Sequence, residues 1–309
     1  MSLNVTAVSY ARQLSQPEVQ QVRAVLAAAG LAMDAESRAG DDRFEVYTAD
    51  GTLEGLPGGA DGDAAGPDRR RAVAGLRRAV ADHGVDGVDT AIVPGTLRNA
   101  ARKFLIMDVD STLIQQEVIE LLAAYAGKRS EVAAVTEAAM RGELDFAQSL
   151  HARVAVLAGL GSDVVDSVRA EVRLTAGAAE LVAAFQAAGH AVAVVSGGFN
   201  QILRPIAADL GLDYWIANEL EIADGVLTGK VIGEVIDRAA KEKYLREWAA
   251  KEGIPMEHTI AVGDGANDLD MLGAAGLGIA FNAKPAVRAA ADAAVNLPYL
   301  DAVRHIAGV

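Results

Sequence analysis

Residues 104–113 read Phe104-Leu-Ile-Met-Asp108-Val-Asp110-Ser-Thr-Leu113. Four consecutive apolar residues are too few for a helix and too uniform for a half-exposed strand. They suit a strand of a parallel sheet covered on both faces. In a doubly wound α/β sheet ligands bind beyond the carboxyl ends of the strands, so Asp108 and Asp110 stand where chemistry is done. The same pattern recurs along the chain. Ala191–Val195 runs into Ser196-Gly-Gly198, Thr259–Val262 into Gly263-Asp264-Gly-Ala-Asn267-Asp268, and Leu277–Phe281 is a fourth apolar run. An aspartate after one strand is often only a helix N-cap. Three strands that each deliver carboxylates or a hydroxyl to one edge are read instead as a site. Clustered carboxylates repel unless a cation sits among them. With oxygen ligands alone that cation is hard, so Mg²⁺ is expected ahead of zinc or copper. No EF-hand loop speaks for Ca²⁺, and Mn²⁺ in place of Mg²⁺ stays open.

In order, Asp108-Val-Asp110-Ser-Thr, Ser196-Gly-Gly, Lys241 and Gly263-Asp-Gly-Ala-Asn-Asp268 resemble the four motifs of the haloacid-dehalogenase superfamily. The likeness is to its phosphoserine phosphatases and runs from about Lys103 to the C-terminus. It implies a Rossmann-like α/β core with a parallel sheet and a helical cap, and hydrolysis of O-phospho-L-serine as the last step of serine biosynthesis. Asp108 would then be the nucleophile and form an aspartyl-phosphate, and Asp110 the general acid and base. Ser111 and Thr112 would orient their loop. Mg²⁺ would be held by Asp108, the Asp110 backbone carbonyl and Asp264, with Asp268 in support. Ser196, Gly197 and Lys241 would hold the phosphoryl oxygens, beside Asn267. Only the resemblance selects Lys241 over Lys243 or Lys230. It also makes Glu117 the partner of the substrate ammonium and Arg153 a bidentate clamp on its carboxylate. Met140 and Phe146 are read as pocket walls or as ordinary core. Two alternatives stand: action on another small phosphomonoester, by hydrolysis or transfer to an alcohol, and an amino-acid sensor that keeps a phosphatase-like core.

Between the first two core strands lies a helical stretch, about residues 116–175, far longer than a simple crossover needs. Inserted straight after the first strand, it would sit over the ligand end of the sheet as a cap. Residues 1–98 read as a separate α+β unit, and 99–309 as the catalytic domain. In the first unit Leu3–Tyr10, Ala32–Ser37, Arg43–Thr48 and Val88–Val93 are expected strands, and Gln16–Leu31 and Asp68–His83 helices. Gly51–Pro67 reads as a loop. This βαββαβ order is that of ferredoxin-like folds and resembles ACT-like domains, which implies either a regulatory site for an amino acid such as serine or a dimerising appendage. A homodimer is expected. Residues 217–235 read as extra strands around Asp224-Gly225. His151 is read as a helix-surface residue, and Trp215 and Trp248 as packing.

The whole chain has 309 residues, 51% hydrophobic, with a formal charge of −14. That length suggests about two domains, and the charge argues against nucleic acid or an anionic membrane surface as partner. With no cysteine, disulfides, thiolate zinc sites and cysteine nucleophiles are excluded. The five histidines show no metal-binding spacing, and no Walker loop occurs. Neither a signal sequence nor an apolar span is read, so a cytoplasmic location is expected.

Overall fold

The computed structural model describes residues 2–54, 67–140 and 145–309, with the side chains of 67–69 and 137–140 outside the description. The first elements are β1 (Leu3–Ala11), α1 (Gln16–Ala28), β2 (Leu31–Gly40), β3 (Glu45–Leu53), α2 (Pro67–His83), β4 (Asp89–Pro94) and the single turn α3 (Gly95–Arg98). The strands form an antiparallel sheet in the order β2-β3-β1-β4, the ferredoxin-like arrangement. Helix α1 opens with a capping box between Ser15 and Glu18 and carries Pro17 in its first turn. It stops three residues before the expected end, because Gly30 takes a left-handed φ of +90° and Leu31 opens β2. Of the expected loop Gly51–Pro67, Gly51–Leu53 belongs to β3 and Pro67 to α2, and 55–66 lies outside the described residues.

The second part runs β5 (Phe104–Met107), α4 (Val118–Tyr125), α5 (Arg129–Met140), α6 (Phe146–Ala155), α7 (Asp163–Glu171), α8 (Ala178–Ala187), β6 (Ala191–Phe199), α9 (Asn200–Asp209), β7 (Tyr214–Ala223), β8 (Val226–Ile232), α10 (Arg238–Lys251), β9 (Thr259–Gly263), α11 (Leu269–Ala274), β10 (Leu277–Phe281), α12 (Pro285–Ala290), β11 (Ala293–Val295) and α13 (Ala302–Ala307). Its seven-stranded sheet has the order β11-β10-β9-β5-β6-β7-β8, parallel except for the antiparallel β7–β8 hairpin. Every residue of β5, β9 and β10 is buried, as expected of strands with helices on both faces. Trp248 stacks on Tyr214 with ring centroids 5.4 Å apart. Trp215, expected to pack, is instead 38% exposed.

Helices α4–α7 form the insertion between β5 and β6. The chain enters and leaves it through a narrow neck where Ile114 bridges Leu174, Gln115 N–H donates to the Arg173 carbonyl (3.0 Å) and Thr175 N–H to that of Leu113 (2.9 Å). A second attachment was not read from the sequence. The start of β8 exchanges backbone hydrogen bonds with the segment after α6, from Gly159 N–H to Leu227 O and from Leu227 N–H to Leu160 O, both 2.8 Å.

The two sheets are not independent. On β1 one face (Leu3, Val5, Ala7) packs under α1 and α2, while Val8 and Tyr10 on the other join a cluster with Val295, Leu300, Val303 and Ile306. Tyr10 Oη donates to the Ala294 carbonyl (2.6 Å), Asn296 pairs with Asp89 (2.6 and 2.7 Å), and Arg43 reaches buried Asp301 (2.7 Å).

Candidate active site

The ends of β5, β6 and β9 meet because these strands are neighbours. Asp108 N–H donates to Val262 O (2.9 Å), which fixes the turn that follows β5 against β9. Residues 109–113 then reverse in one tight turn, with Ser111 at φ +59°. A non-glycine residue there costs on the order of 1 kcal/mol. Two bonds hold it: Ser111 N–H donates to Gln116 O (3.3 Å) and Ser111 Oγ to Glu117 Oε1 (2.7 Å).

Asp108, Asp264 and Asp268 come together, each offering an oxygen within 4.8 Å of the others. Lys241 is fully buried among them, its ammonium donating to Asp108 Oδ1 and to Asp268 Oδ1 (2.6 Å). Asp237 Oδ1 caps α10 by accepting from Ala240 N–H (2.9 Å) and so sets the first turn that carries Lys241. Lys243 and Lys230 lie elsewhere, Lys243 on Glu234 at the surface (2.9 Å) and Lys230 on β8. Asp268 also accepts from Gly265 N–H (3.0 Å), and a Cβ at Gly263 would lie 2.4 Å from its carboxylate, so the close approach requires glycine.

Burial pushes the Asp108 carboxyl well up, opposed by Lys241 and reinforced by Asp268 and Asp264. Burial with Asp268 and Glu117 pushes Asp264 up to about 6. Burial alone would lower Lys241, but Asp108 and Asp268 outweigh it and hold the ammonium above its ordinary value. One lysine thus faces three carboxylates. The excess negative charge, the all-oxygen donor set and the tight spacing fit a hard divalent cation.

Asp110 stands apart from the three carboxylates. Its Oδ2 accepts from Val118 N–H (3.1 Å), its Oδ1 is shut off from solvent without a partner, and burial together with Glu117 pushes it up to about 7. Thr112 Oγ1 is likewise buried and unpaired. Ser196 is buried, its Oγ accepting from Gly198 N–H (2.8 Å). Asn267 is half-buried, in the turn after Asp264. From the insertion, Phe146 leans on Gly197: its Cζ would lie 3.0 Å from a Cβ there. Arg153, half-buried on α6, bonds only Ser149 O (3.3 Å) and among the described residues makes no ion pair, although Glu117 and Asp110 act on it electrostatically. Met140 ends α5 and its side chain lies outside the described residues. His151 is exposed on α6. The sequence reading missed Asn218, a buried amide on β7 that bonds the Gly197 carbonyl.

A family model for haloacid dehalogenase-like hydrolases matches residues 105–273. The chain belongs to this family. A phosphoserine phosphatase of Streptomyces coelicolor is 61% identical over 223 residues, 72% of this chain and 54% of the relative, so the chain spans about half the length of that relative. The unliganded crystal structure of a probable phosphoserine phosphatase from Vibrio cholerae superposes with a TM-score of 0.74 at 34% identity, covering 98% of this chain and 87% of that one. A solved phospho-aspartyl intermediate analogue of phosphoserine phosphatase gives 0.63 at 43% identity, covering 66% and 98%. As in other haloacid dehalogenase-like hydrolases, the fold here is an α/β core with a parallel sheet, and the antiparallel N-terminal sheet is added to it.

Proposed function

We propose that this chain hydrolyses O-phospho-L-serine to L-serine and phosphate, closing serine biosynthesis, through an aspartyl-phosphate on Asp108. The observation that carries the reading is the buried Asp108–Lys241–Asp268 group with Asp264 beside it, with Glu117 of the insertion acting on Asp264 and Arg153 within electrostatic reach of Glu117 and Asp110. The relative from Streptomyces coelicolor and the phospho-aspartyl analogue support the substrate and the intermediate.

Lys241 opposes the upward push of burial on Asp108 and aims its carboxylate. An Asp108 oxygen attacks phosphorus, the P–O bond to the seryl oxygen breaks, and Asp110 gives that oxygen its proton. A carboxyl pushed up to about 7 is protonated often enough near neutrality to do this. Asp110, now a carboxylate, takes a proton from water, whose oxygen attacks the same phosphorus and returns Asp108 to a free carboxylate. Ser196 Oγ, Gly197 N–H and Lys241 provide donors for the phosphoryl oxygens, with Asn267 alongside. Asp108, Asp264 and the Asp110 carbonyl, supported by Asp268, would hold a Mg²⁺ ion, which supplies positive charge against the phosphoryl group. Glu117 and Arg153 read the α-ammonium and α-carboxylate of the substrate.

Phosphate release from L-phosphoserine is measured with Mg²⁺, with EDTA, and with Asp108→Asn. Turnover that needs the metal and disappears in the variant is expected. Metal-dependent release from other phosphomonoesters but not from phosphoserine would refute the substrate. No release from any would refute the activity.

A further inference from the structure

The ladder between β6 and β7 is not continuous at the site. Its register with β7 pairs Val195 with Ile216 and then Phe199 with Asn218, so Ser196, Gly197 and Gly198 face only Ala217 across the ladder. Such a bulge re-aims side chains and leaves backbone groups without ladder partners. One side chain takes over here. Asn218, 1% exposed, donates from Nδ2 to the Gly197 carbonyl (2.8 Å) and accepts at Oδ1 from the Ile236 N–H (2.9 Å). Ile236 immediately precedes Asp237, the cap of the helix whose first turn carries Lys241. Asn200 and Gln201 also bond the β7 backbone, at Ala217 and Leu220, but they fasten only the start of α9. Asn218 alone of the three spans from the Ser196–Gly197 turn to the segment that leads into α10.

We propose that Asn218 is a positioning residue for phosphoryl transfer: both ends of its amide set the Ser196–Gly197 turn and the start of α10, and hence Lys241, at a fixed separation. It acts through these groups and does not itself meet the substrate. The inference rests on the reading that Ser196, Gly197 and Lys241 hold the phosphoryl oxygens, and not on which phosphomonoester is bound. A buried amide that uses both its donor and its acceptor has no equivalent among smaller or apolar side chains, and a shift of about 1 Å in a catalytic group costs about 100-fold in rate.

The test uses p-nitrophenyl phosphate as substrate and inorganic phosphate as inhibitor, so that an error about phosphoserine leaves it standing. Asn218→Ala and Asn218→Asp are compared with wild type, each with and without Ser196→Ala. Asn218→Asp keeps the volume and the acceptor for Ile236 and, once ionised, sets a carboxylate oxygen against the Gly197 carbonyl in place of the donor. It carries the comparison if the alanine variant does not fold, and is assayed also above neutral pH to ionise the buried carboxyl. The expected result is a kcat about 10- to 100-fold lower and phosphate inhibition weakened to a similar degree. In Asn218→Asp half-saturating Mg²⁺ is expected to stay within about twofold, since that variant keeps the Ile236 contact and with it the placement of Lys241 on Asp108 and Asp268. In the Ser196→Ala background the same substitutions lose less, because the turn they position is already impaired. Equal fold-losses in both backgrounds, or a folded variant with kcat and phosphate inhibition within about threefold of wild type, would overturn the proposal. If the wild type hydrolyses p-nitrophenyl phosphate but not phosphoserine, the substrate reading fails alone. If it hydrolyses neither, both fail.

Discussion

Replacing Lys241 with methionine removes a fully buried ammonium and leaves its two carboxylate partners behind. Methionine nearly fills the volume, so the change is electrostatic rather than a cavity. At an effective dielectric near 20, a pair of unit charges about 4 Å apart gains about 4 kcal/mol, and Lys241 has two such partners in Asp108 and Asp268. Its own desolvation cancels a large part of that sum, and a neighbouring carboxyl can take up a proton, which caps the cost of the repulsion left among Asp108, Asp264 and Asp268. The net expectation is the usual loss on breaking a buried pair, about 3–5 kcal/mol. Urea unfolding in EDTA reads it directly. With Mg²⁺ in excess the variant should recover more stability than wild type gains, because its site holds one positive charge fewer. At about 100 times the dissociation constant, binding stabilises a native state by about 2.7 kcal/mol, and the variant's tighter site should exceed the wild-type value. Turnover should fall at least about 100-fold, the effect of losing one donor to a developing charge. A variant within about 1 kcal/mol of wild type in EDTA, or one that gains no more from Mg²⁺, would refute this electrostatic account of the cluster.

Two further outcomes are expected. Arg153→Ala should raise KM for phosphoserine about 10- to 100-fold, the worth of one charge-assisted hydrogen-bonded contact, and leave p-nitrophenyl phosphate nearly unaffected; an equal loss on both substrates would remove Arg153 from carboxylate recognition. His190 packs on Phe185 and accepts from Lys103 N–H, and burial, with Lys103 and Arg102 adding to it, lowers it to about 4. Its native form therefore stays neutral while the unfolded chain takes up a proton below about pH 6.5. Stability should fall by about 1–3 kcal/mol as pH drops from 7 toward 4 and level off below that. Urea midpoints across this range should lose that component in His190→Gln, and an unchanged slope would refute it.

The parts of the fold that were legible in the sequence are those where burial is two-sided. Phe104–Met107 and Leu277–Phe281 have the bounds their apolar runs announce. Ala191–Val195 does not: the strand continues to Phe199, because hydrogen bonding resumes beyond Gly198 and no hydrophobic signal marks that resumption. Strand β11 was missed for a similar reason. Three residues, Ala293–Val295, carry too little pattern, and their place is set by parallel pairing with Ile279–Phe281. The alternation in Leu3, Val5 and Ala7 was visible, but the burial of Val8 and Tyr10 against a second core was not, since it depends on contacts nearly 300 residues away. The three aspartates of the candidate site could be found because each follows a strand. Asn218 could not, since an amide within a strand looks like any polar position until its two partners are known.

The convergence of residues 108, 196 and 264 follows from strand order. Adjacent strands lie about 4.8 Å apart, and the order β9-β5-β6 places the turns after Gly263, Met107 and Val195 side by side, with Asp108 in the middle. The same order explains the crowding of carboxylates there: the two turns that carry Asp108 and Asp264 are one strand spacing apart, so their repulsion is built into the sheet, and Lys241 offsets part of it. The insertion leaves from the central strand, so its first residues reach the site at once, and Ser111 bonds Glu117 across six residues. The N-terminal sheet is differently placed. It packs on β11 and the residues after it, three strand spacings or about 14 Å from β5. Among the described residues it contributes no side chain to the carboxylate cluster. Its contacts with the second unit include β11, next to β10 and β9 in the sheet, and the Arg43–Asp301 pair. Asp301 in turn abuts Gly177, where a Cβ would lie 2.1 Å from its carboxylate, two residues past the neck of the insertion at Thr175.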